Sequence, residues 1–173
     1  MPTSLTASPA HVLRVFTFKE GLLSTVAHDL RLTLVRWHID VDDTGAVKGS
    51  FFPATLKVDG VMRGGQLDAD ALSGANQREV LANVNDKLLQ TGRHPEATLV
   101  GRVVGEGARR QFEGTLTLAG RAASITAPVE VTDAFVRVSL ELQPTRWGIA
   151  PYKALMGAIR LQDRVRITLD APR

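Results

Sequence analysis

No cysteine occurs among the 173 residues, which excludes disulfides and thiolate-held metals and leaves burial alone to hold the core. Aromatic residues are scarce too, at 5%, too few for a pocket walled mainly by rings. No stretch approaches the ~20 consecutive apolar residues of a membrane-spanning helix. Residues 1–10, MPTSLTASPA, carry neither a basic n-region nor an apolar h-region of secretory length, so a cytoplasmic protein is expected. Charge is not concentrated either. The formal net charge is +3, with Arg and Lys spread among apolar residues rather than gathered with stacking aromatics, which argues against a nucleic-acid binder.

What is present reads as a globular chain. The hydrophobic fraction is 44% and the charged fraction 23%, both near the averages of folded domains. The length suits one domain covering 1–173, large enough to bury a core without a staple. Period-two alternation dominates. Ala134, Val136, Val138, Leu140 and Leu142 share one face, against Arg137, Ser139 and Glu141 on the other. Ile125, Ala127, Val129 and Val131 alternate with Ser124, Thr126 and Glu130; Phe112, Leu116 and Leu118 alternate with Glu113, Thr115 and Thr117. Leu161, Val165, Ile167 and Leu169 oppose Arg160, Arg164, Arg166 and Thr168. These are half-buried antiparallel strands.

Earlier segments are less regular. Residues 12–18 are apolar on both faces through Phe16 and Phe18. Leu30, Leu32 and Leu34 alternate, then Val35, Trp37, Ile39 and Val41 continue on the other parity; such a slip predicts a β-bulge near Leu34 or Val35. Asp42-Asp43-Thr44-Gly45 predicts a hairpin turn. One substantial helix is expected over residues 76–91, with Asn76 as N-cap and Glu79 completing a capping box. Val80, Leu81, Val84 and Leu88 form its apolar stripe. Shorter helical turns are expected over 20–27 and 151–156. About eight strands around one helix give an all-β fold, an antiparallel barrel or sandwich.

The order of several short motifs then narrows the choice. Ser24-Thr25-Val26-Ala27-His28-Asp29-Leu30 opens a strand; Leu88-Leu89-Gln90-Thr91-Gly92-Arg93-His94-Pro95-Glu96-Ala97-Thr98-Leu99 runs from helix end into strand. Gly114-Thr115-Leu116-Thr117-Leu118-Ala119-Gly120 and Arg146-Trp147-Gly148-Ile149 follow. Together they cover most of the chain, and the whole resembles the YceI-like family. That resemblance implies an antiparallel lipocalin-like β-barrel of about eight strands with the helix packed near one end. It implies an elongated cavity for a polyisoprenoid, quinone-like or fatty-amide lipid, and binding or transport rather than catalysis. A small barrel has room for its own side chains and one small ligand.

On these terms Phe16, Phe18, Leu32, Phe52, Leu56, Val58, Phe112, Leu116, Ile125, Val136, Val138 and Leu140 are candidates to line the cavity. An ordinary packed core demands the same apolar inner face, so periodicity leaves the two open. His28 is a candidate polar contact to the ligand. Residues next to each other on a strand face opposite ways, so Asp29 is badly placed to orient that imidazole, and a backbone-bonding role in a turn suits the pair better. A small-molecule enzyme using His28 or Arg146 in the same cavity is the rival, although no motif places a nucleophile. Trp147 and Tyr152, with Arg146 and Lys153, form either a gate at the barrel end or a corner plug.

His11, His28, His38 and His94 lack metal-ligand spacing, so no metal is expected, and no cofactor beyond a bound isoprenoid or quinone-like lipid. Arg160, Arg164 and Arg166 read as solvated protection of the sheet. Besides the lipid, the remaining partners this pattern admits are a membrane surface touched peripherally through those arginines and a second copy of the chain in a homodimer.

Overall fold

Ile125, Ala127 and Val129 are buried while Thr126, Pro128 and Glu130 are exposed, the period of two that a strand with one wet face must show. The same rule organises the whole sheet in the computed structural model, which describes residues 2–20, 28–157 and 159–173. The strands are β1 (Thr3–Thr6), β2 (Val12–Lys19), β3 (Leu30–Leu34), β4 (Trp37–Val41), β5 (Ala46–Phe51), β6 (Leu56–Arg63), β7 (Gln66–Asp68) and β8 (Ala97–Val104). They continue as β9 (Arg109–Leu118), β10 (Arg121–Val131), β11 (Phe135–Leu142), β12 (Lys153–Ala154) and β13 (Ile159–Pro172).

Pairing is antiparallel throughout, in the order β1-β4-β5-β8-β9-β10-β11-β13-β2-β3-β6-β7, with β12 attached to β13. The sheet curls into a lipocalin-like half-barrel whose path holds twelve strands, more than the expected eight. The excess has a physical origin. The slip foreseen near Leu34 is a corner at Val35 and Arg36 that divides one ribbon into β3 and β4, and a 3-10 turn at Pro53–Thr55 divides its partner into β5 and β6. The two breaks face each other, with Phe52 N donating to Arg36 O (3.1 Å) and Val35 N to Thr55 O (3.4 Å). Each long ribbon is thus counted twice. The edges of the path are short: β1 has four residues and β7 three.

Two bulges adjust the curl. Asp59 is extra opposite β3, where Arg31 pairs with Gly60 and Leu32 with Val58. Its carboxylate accepts from Arg31 Nε (2.8 Å) and Thr33 Oγ1 (2.7 Å) on the outer face. On β13, Leu161 pairs with Lys19 but Val165 with Thr17, so two extra residues swing Asp163 out to hold Thr145 N (3.0 Å) and Thr145 Oγ1 (2.5 Å). The expected turn at 42–45 forms around Asp42. Its Oδ1 accepts from Thr44 Oγ1, Thr44 N and Ala46 N, and the Thr44 hydroxyl, with those two backbone amides, holds the Asp42 carboxyl below the usual aspartate value.

The helix differs from its expected form. α1 (Gly74–Ala82) is capped by Ser73, whose Oγ accepts from Asn76 N at 3.1 Å, so Asn76 lies inside the first turn. A serine places a hydroxyl where the free N–H groups of the first turn need an acceptor. Beyond Ala82 the chain widens into a π-helical segment, Asn83–Leu88. Of the shorter helical turns, 151–156 instead holds β12 and the start of a tight 3-10 turn at Leu155–Gly157. The turn expected over 20–27 falls, apart from Glu20, on residues 21–27, outside the described residues, as does the Ser24–Ala27 part of the first family-like motif.

Candidate ligand-binding cavity

The inner face of the curled sheet does not meet itself. It borders a half-open cavity of about 350 Å³ whose lining residues are apolar apart from Thr17. That volume is at the small end of ligand pockets. From β11 the wall receives Val136, Val138, Leu140 and Leu142, and from β13 Val165, Ile167 and Leu169. The six steps from Val136 to Leu142 at ~3.4 Å each make this wall about 20 Å long.

Glycine explains how the interior stays open. Gly101 of β8 and Gly114 of β9 face each other across the ladder. The Phe112 ring lies over both: a Cβ on Gly114 would be 2.5 Å from its Cζ, and one on Gly101 would be 2.7 Å away. The Phe51 ring folds back over Gly49 in the same way, 3.1 Å from a Cβ placed there. Residues two apart on a strand share a face, so each ring occupies the space that its glycine neighbour leaves and lies along the wall instead of crossing the lumen.

One end is covered by the helix and by the loop after β11. Val84, Leu88 and Leu89 all line the cavity. The π-helical bond from Leu89 N to Val84 O (2.9 Å) widens the turn and brings Leu89 round beside Val84 and Leu88. Val80 and Leu81 of α1 instead pack with Leu30, Leu32, Val61 and Leu72. Trp147 is only 1% exposed; it ends a 3-10 turn, Pro144–Trp147, and donates Nε1 to Leu116 O at 2.8 Å. Asp163, grasping Thr145, keeps this turn in place.

Of the residues named from sequence, the structure brings Leu32, Leu56, Phe112, Leu116, Ile125, Val136, Val138, Leu140 and Trp147 together around the cavity. The others stand elsewhere. Phe16 and Phe18 face outward, because Leu13, Val15 and Thr17 hold the inner parity of β2. The Phe18 ring lies under the Arg164 guanidinium, 4.0 Å from its centre, and Phe16 is paired between Arg31 and Arg166. Phe52 is also outside, covered by Arg36 at 4.0 Å; its neighbour Phe51 is the inward ring. The Phe18 and Phe52 rings are tolerated on the wet face because a guanidinium shields each of the two.

Val58 is on the inner side but packs into the helix-covered cluster with Leu30 and Leu32, beyond the lumen. His28 precedes β3 and does not line the cavity; Asp29 beside it accepts from Lys19 N at 2.7 Å, a backbone bond that closes the β2–β3 connection. Tyr152 contributes its hydroxyl, not its ring, accepting from Asn83 Nδ2 at 3.1 Å and tying the loop to the helix. Arg146 points to the outer surface, donating to Ser124 O at 2.6 Å.

Sequence reading missed Phe51, Leu13, Val15 and Thr17. The signal was there. Arg14 marks the outer parity of β2, and Val47-x-Gly49-x-Phe51 continues the inner parity of β5 once glycine is admitted to it.

Comparison with known proteins follows this geometry. The family model of the YceI-like domain matches residues 6–172. Among solved structures, BcnA of Burkholderia cenocepacia is similar with a TM-score of 0.63 at 14% identity, over 92% of this chain and 94% of that one. A polyisoprenoid-binding domain from Saccharophagus degradans, implicated in plant cell wall breakdown, gives a TM-score of 0.62 at 11% identity, over 98% and 97%. The YceI protein of Campylobacter jejuni gives 0.53 at 11% identity, over 82% and 84%. At these identities the likeness concerns the fold. No curated protein matches the chain significantly.

Proposed function

The chain belongs to the YceI-like domain family, and from that premise we propose that it binds and carries an apolar lipid chain, of polyisoprenoid, quinone-like or fatty-amide type, without catalysing a reaction. The observation that carries this is the lumen: a space of about 350 Å³ walled almost wholly by aliphatic and aromatic carbon. Water gains little in such a space, whereas a hydrocarbon replaces a wet surface with a dry one. Each buried methylene contributes ~0.8 kcal/mol. Association itself costs on the order of 4–15 kcal/mol, so micromolar binding needs roughly fifteen or more carbons in the lumen. A long chain is therefore the fitting guest, and a small polar metabolite is not.

The rival, an enzyme acting through His28 or Arg146, draws no support from the wall, since neither side chain lines it. Native mass spectrometry of freshly purified protein, followed by solvent extraction, tests the proposal. The expected result is a bound mass that extraction releases as lipid. Should the delipidated protein also refuse saturable uptake of an apolar fluorophore such as N-phenyl-1-naphthylamine, the carrier reading fails.

A further inference from the structure

Met156 is the most exposed large hydrophobic residue among those described, with its whole side chain in solvent. It stands at the tip of a hairpin, in the tight turn Leu155–Gly157 between β12 and β13. Its backbone is left-handed, at φ 56° and ψ 32°, and so is that of Gly157, at φ 88°. Glycine enters that region freely and asparagine or aspartate tolerates it, but an apolar side chain there is strained. The fold thus holds a strained methionine where it packs against nothing, an outlier that points to a role outside the core.

Two cations flank the tip. Lys153 and Arg160 pair across β12 and β13, and both are exposed. Arg160 Nε donates to Gly157 O at 3.0 Å, and its guanidinium lies 3.0 Å from where a Cβ on Gly157 would be. A positive group is therefore fixed one residue from the apolar tip. Neither cation pairs with a carboxylate among the described residues. The adjoining end of β2 brings Lys19 and Glu20, which offset each other, with Glu20 N donating to Arg160 O at 3.0 Å. Asp29 is turned into its bond with Lys19 N. Further along β13, Arg164 and Arg166 are occupied: both reach Glu141, at 3.2 and 3.4 Å, and both cover the Phe18 ring. Of the three arginines of this strand that the sequence offers to a membrane, Arg160 alone keeps a charge not shared with an acid. Leu161 N donates to Tyr152 O, and the Tyr152 hydroxyl is tied to Asn83, so the hairpin stands at the helix-covered end of the sheet.

We propose that this hairpin is a membrane-docking finger, in which Met156 enters the interfacial region of a bilayer while Lys153 and Arg160 meet anionic lipid headgroups. One apolar side chain and two cations form no patch of the ~1,000 Å² that a specific protein interface buries. A bilayer surface asks only for apolar area to bury and positive charge beside it. The inference stands on the hairpin and not on the contents of the lumen; joined to the carrier reading, it sets the helix-covered end of the sheet against the membrane.

The test is co-sedimentation of the full chain with vesicles of phosphatidylcholine alone and with one-third phosphatidylglycerol, at low and at raised salt. Each cation near an anionic surface corresponds to about a five-fold gain in affinity. Wild-type protein should therefore prefer the anionic vesicles by about 25-fold, and by less at raised salt. Lys153→Gln should reduce that preference about five-fold. Burying about half of a methionine side chain corresponds to roughly a 4- to 12-fold gain, so Met156→Asn should weaken binding by that factor. Asparagine suits the left-handed backbone, so this variant should melt no lower than wild type. If wild-type protein shows no preference for anionic vesicles, or if either variant binds them as wild type does, the docking finger is overturned. Because the chain has no cysteine, Met156→Cys carries a single nitrobenzoxadiazole label at the tip. Brightening of that label on anionic vesicles supports insertion, and an unchanged spectrum overturns it. Uptake of N-phenyl-1-naphthylamine, read without vesicles, separates the two readings: its absence with docking intact sinks the carrier reading alone, and lost docking with uptake intact sinks the finger alone.

Discussion

Replacing Gly114 by alanine tests why the barrel is hollow, with Gly49→Ala as its control. Both glycines have ordinary strand backbones, since neither is among the positive-φ residues, so the two substitutions differ in space alone. At Gly114 the new Cβ would meet Val100 O at 2.4 Å, Phe112 Cζ at 2.5 Å and Gly101 Cα at 2.8 Å. Contacts between carbons are comfortable at ~3.5–4.0 Å, so the ring must move by about 1 Å or more, and the backbone partners cannot move without opening the β8–β9 ladder. Overpacking of this kind costs about 1–3 kcal/mol. Against it stands the gain of about 0.5–1 kcal/mol from a less flexible unfolded chain.

Because backbone atoms bar relaxation, the clash takes the upper part of that range, about 2–3 kcal/mol, and wins at Gly114, leaving a net loss of about 1–2.5 kcal/mol. At Gly49 the nearest atoms are the Phe51 ring at 3.1 Å and Leu99 Cβ at 3.3 Å, side chains that need yield only slightly, so there the gain balances or wins. For a chain of this length the midpoint moves about 2–4 °C per kcal/mol. Gly114→Ala should melt roughly 2–10 °C lower, and Gly49→Ala at the wild-type temperature or up to about 4 °C above it. Thermal and urea unfolding measure both. The displaced Phe112 ring should also weaken uptake of an apolar dye by Gly114→Ala. If Gly114→Ala is as stable as Gly49→Ala, the close packing of the glycine pair does not hold the ring.

Three further outcomes follow from particular contacts. Trp147→Ala removes the largest fully buried side chain and leaves Leu116 O without its donor, so urea unfolding should report a loss of about 3–5 kcal/mol. Ser73→Ala should cost about 1 kcal/mol through the lost cap on α1, read as a lower midpoint with an unchanged m-value. The Asp42 carboxyl, held low chiefly by the Thr44 hydroxyl, should titrate below an ordinary aspartate in NMR. Its folded pKa is below its unfolded one, so its stabilising effect is present above the unfolded value and is lost as pH falls through the folded value. Asp42→Asn should remove that part of the acid-side loss.

Much of this architecture is legible in alternation. β10, β11 and β13 carry a polar or charged side chain at most outward positions, so their inner faces, including Ile125, Val136, Val138 and Leu140, are read without ambiguity. β2 is harder because both of its faces are apolar: Phe16 and Phe18 are larger than Val15 and Thr17, yet both face outward, the Phe18 ring under Arg164 and Arg166. Size misleads where a guanidinium can shield a ring. Phe52 was preferred to Phe51 because glycine at 49 hides the parity of β5. The hollowness is tied to Gly49 and Gly114 receiving rings from two residues away, and to Gly101 receiving the Phe112 ring across the ladder, a pattern that hydrophobicity does not register.

The shortness of the two edge strands bears on how such a molecule survives at high concentration. A sheet with an apolar inner face would be hazardous if its borders could recruit other chains, since unpaired backbone groups template strand addition. Here the borders offer only Thr3–Thr6 and Gln66–Asp68, the first set between Pro2 and Pro9 and the second closed back on β6 through Gly64 and Gly65. Neither is long enough to seed a fibril of the six- or seven-residue kind. Short borders therefore leave little free backbone through which one copy could add to another.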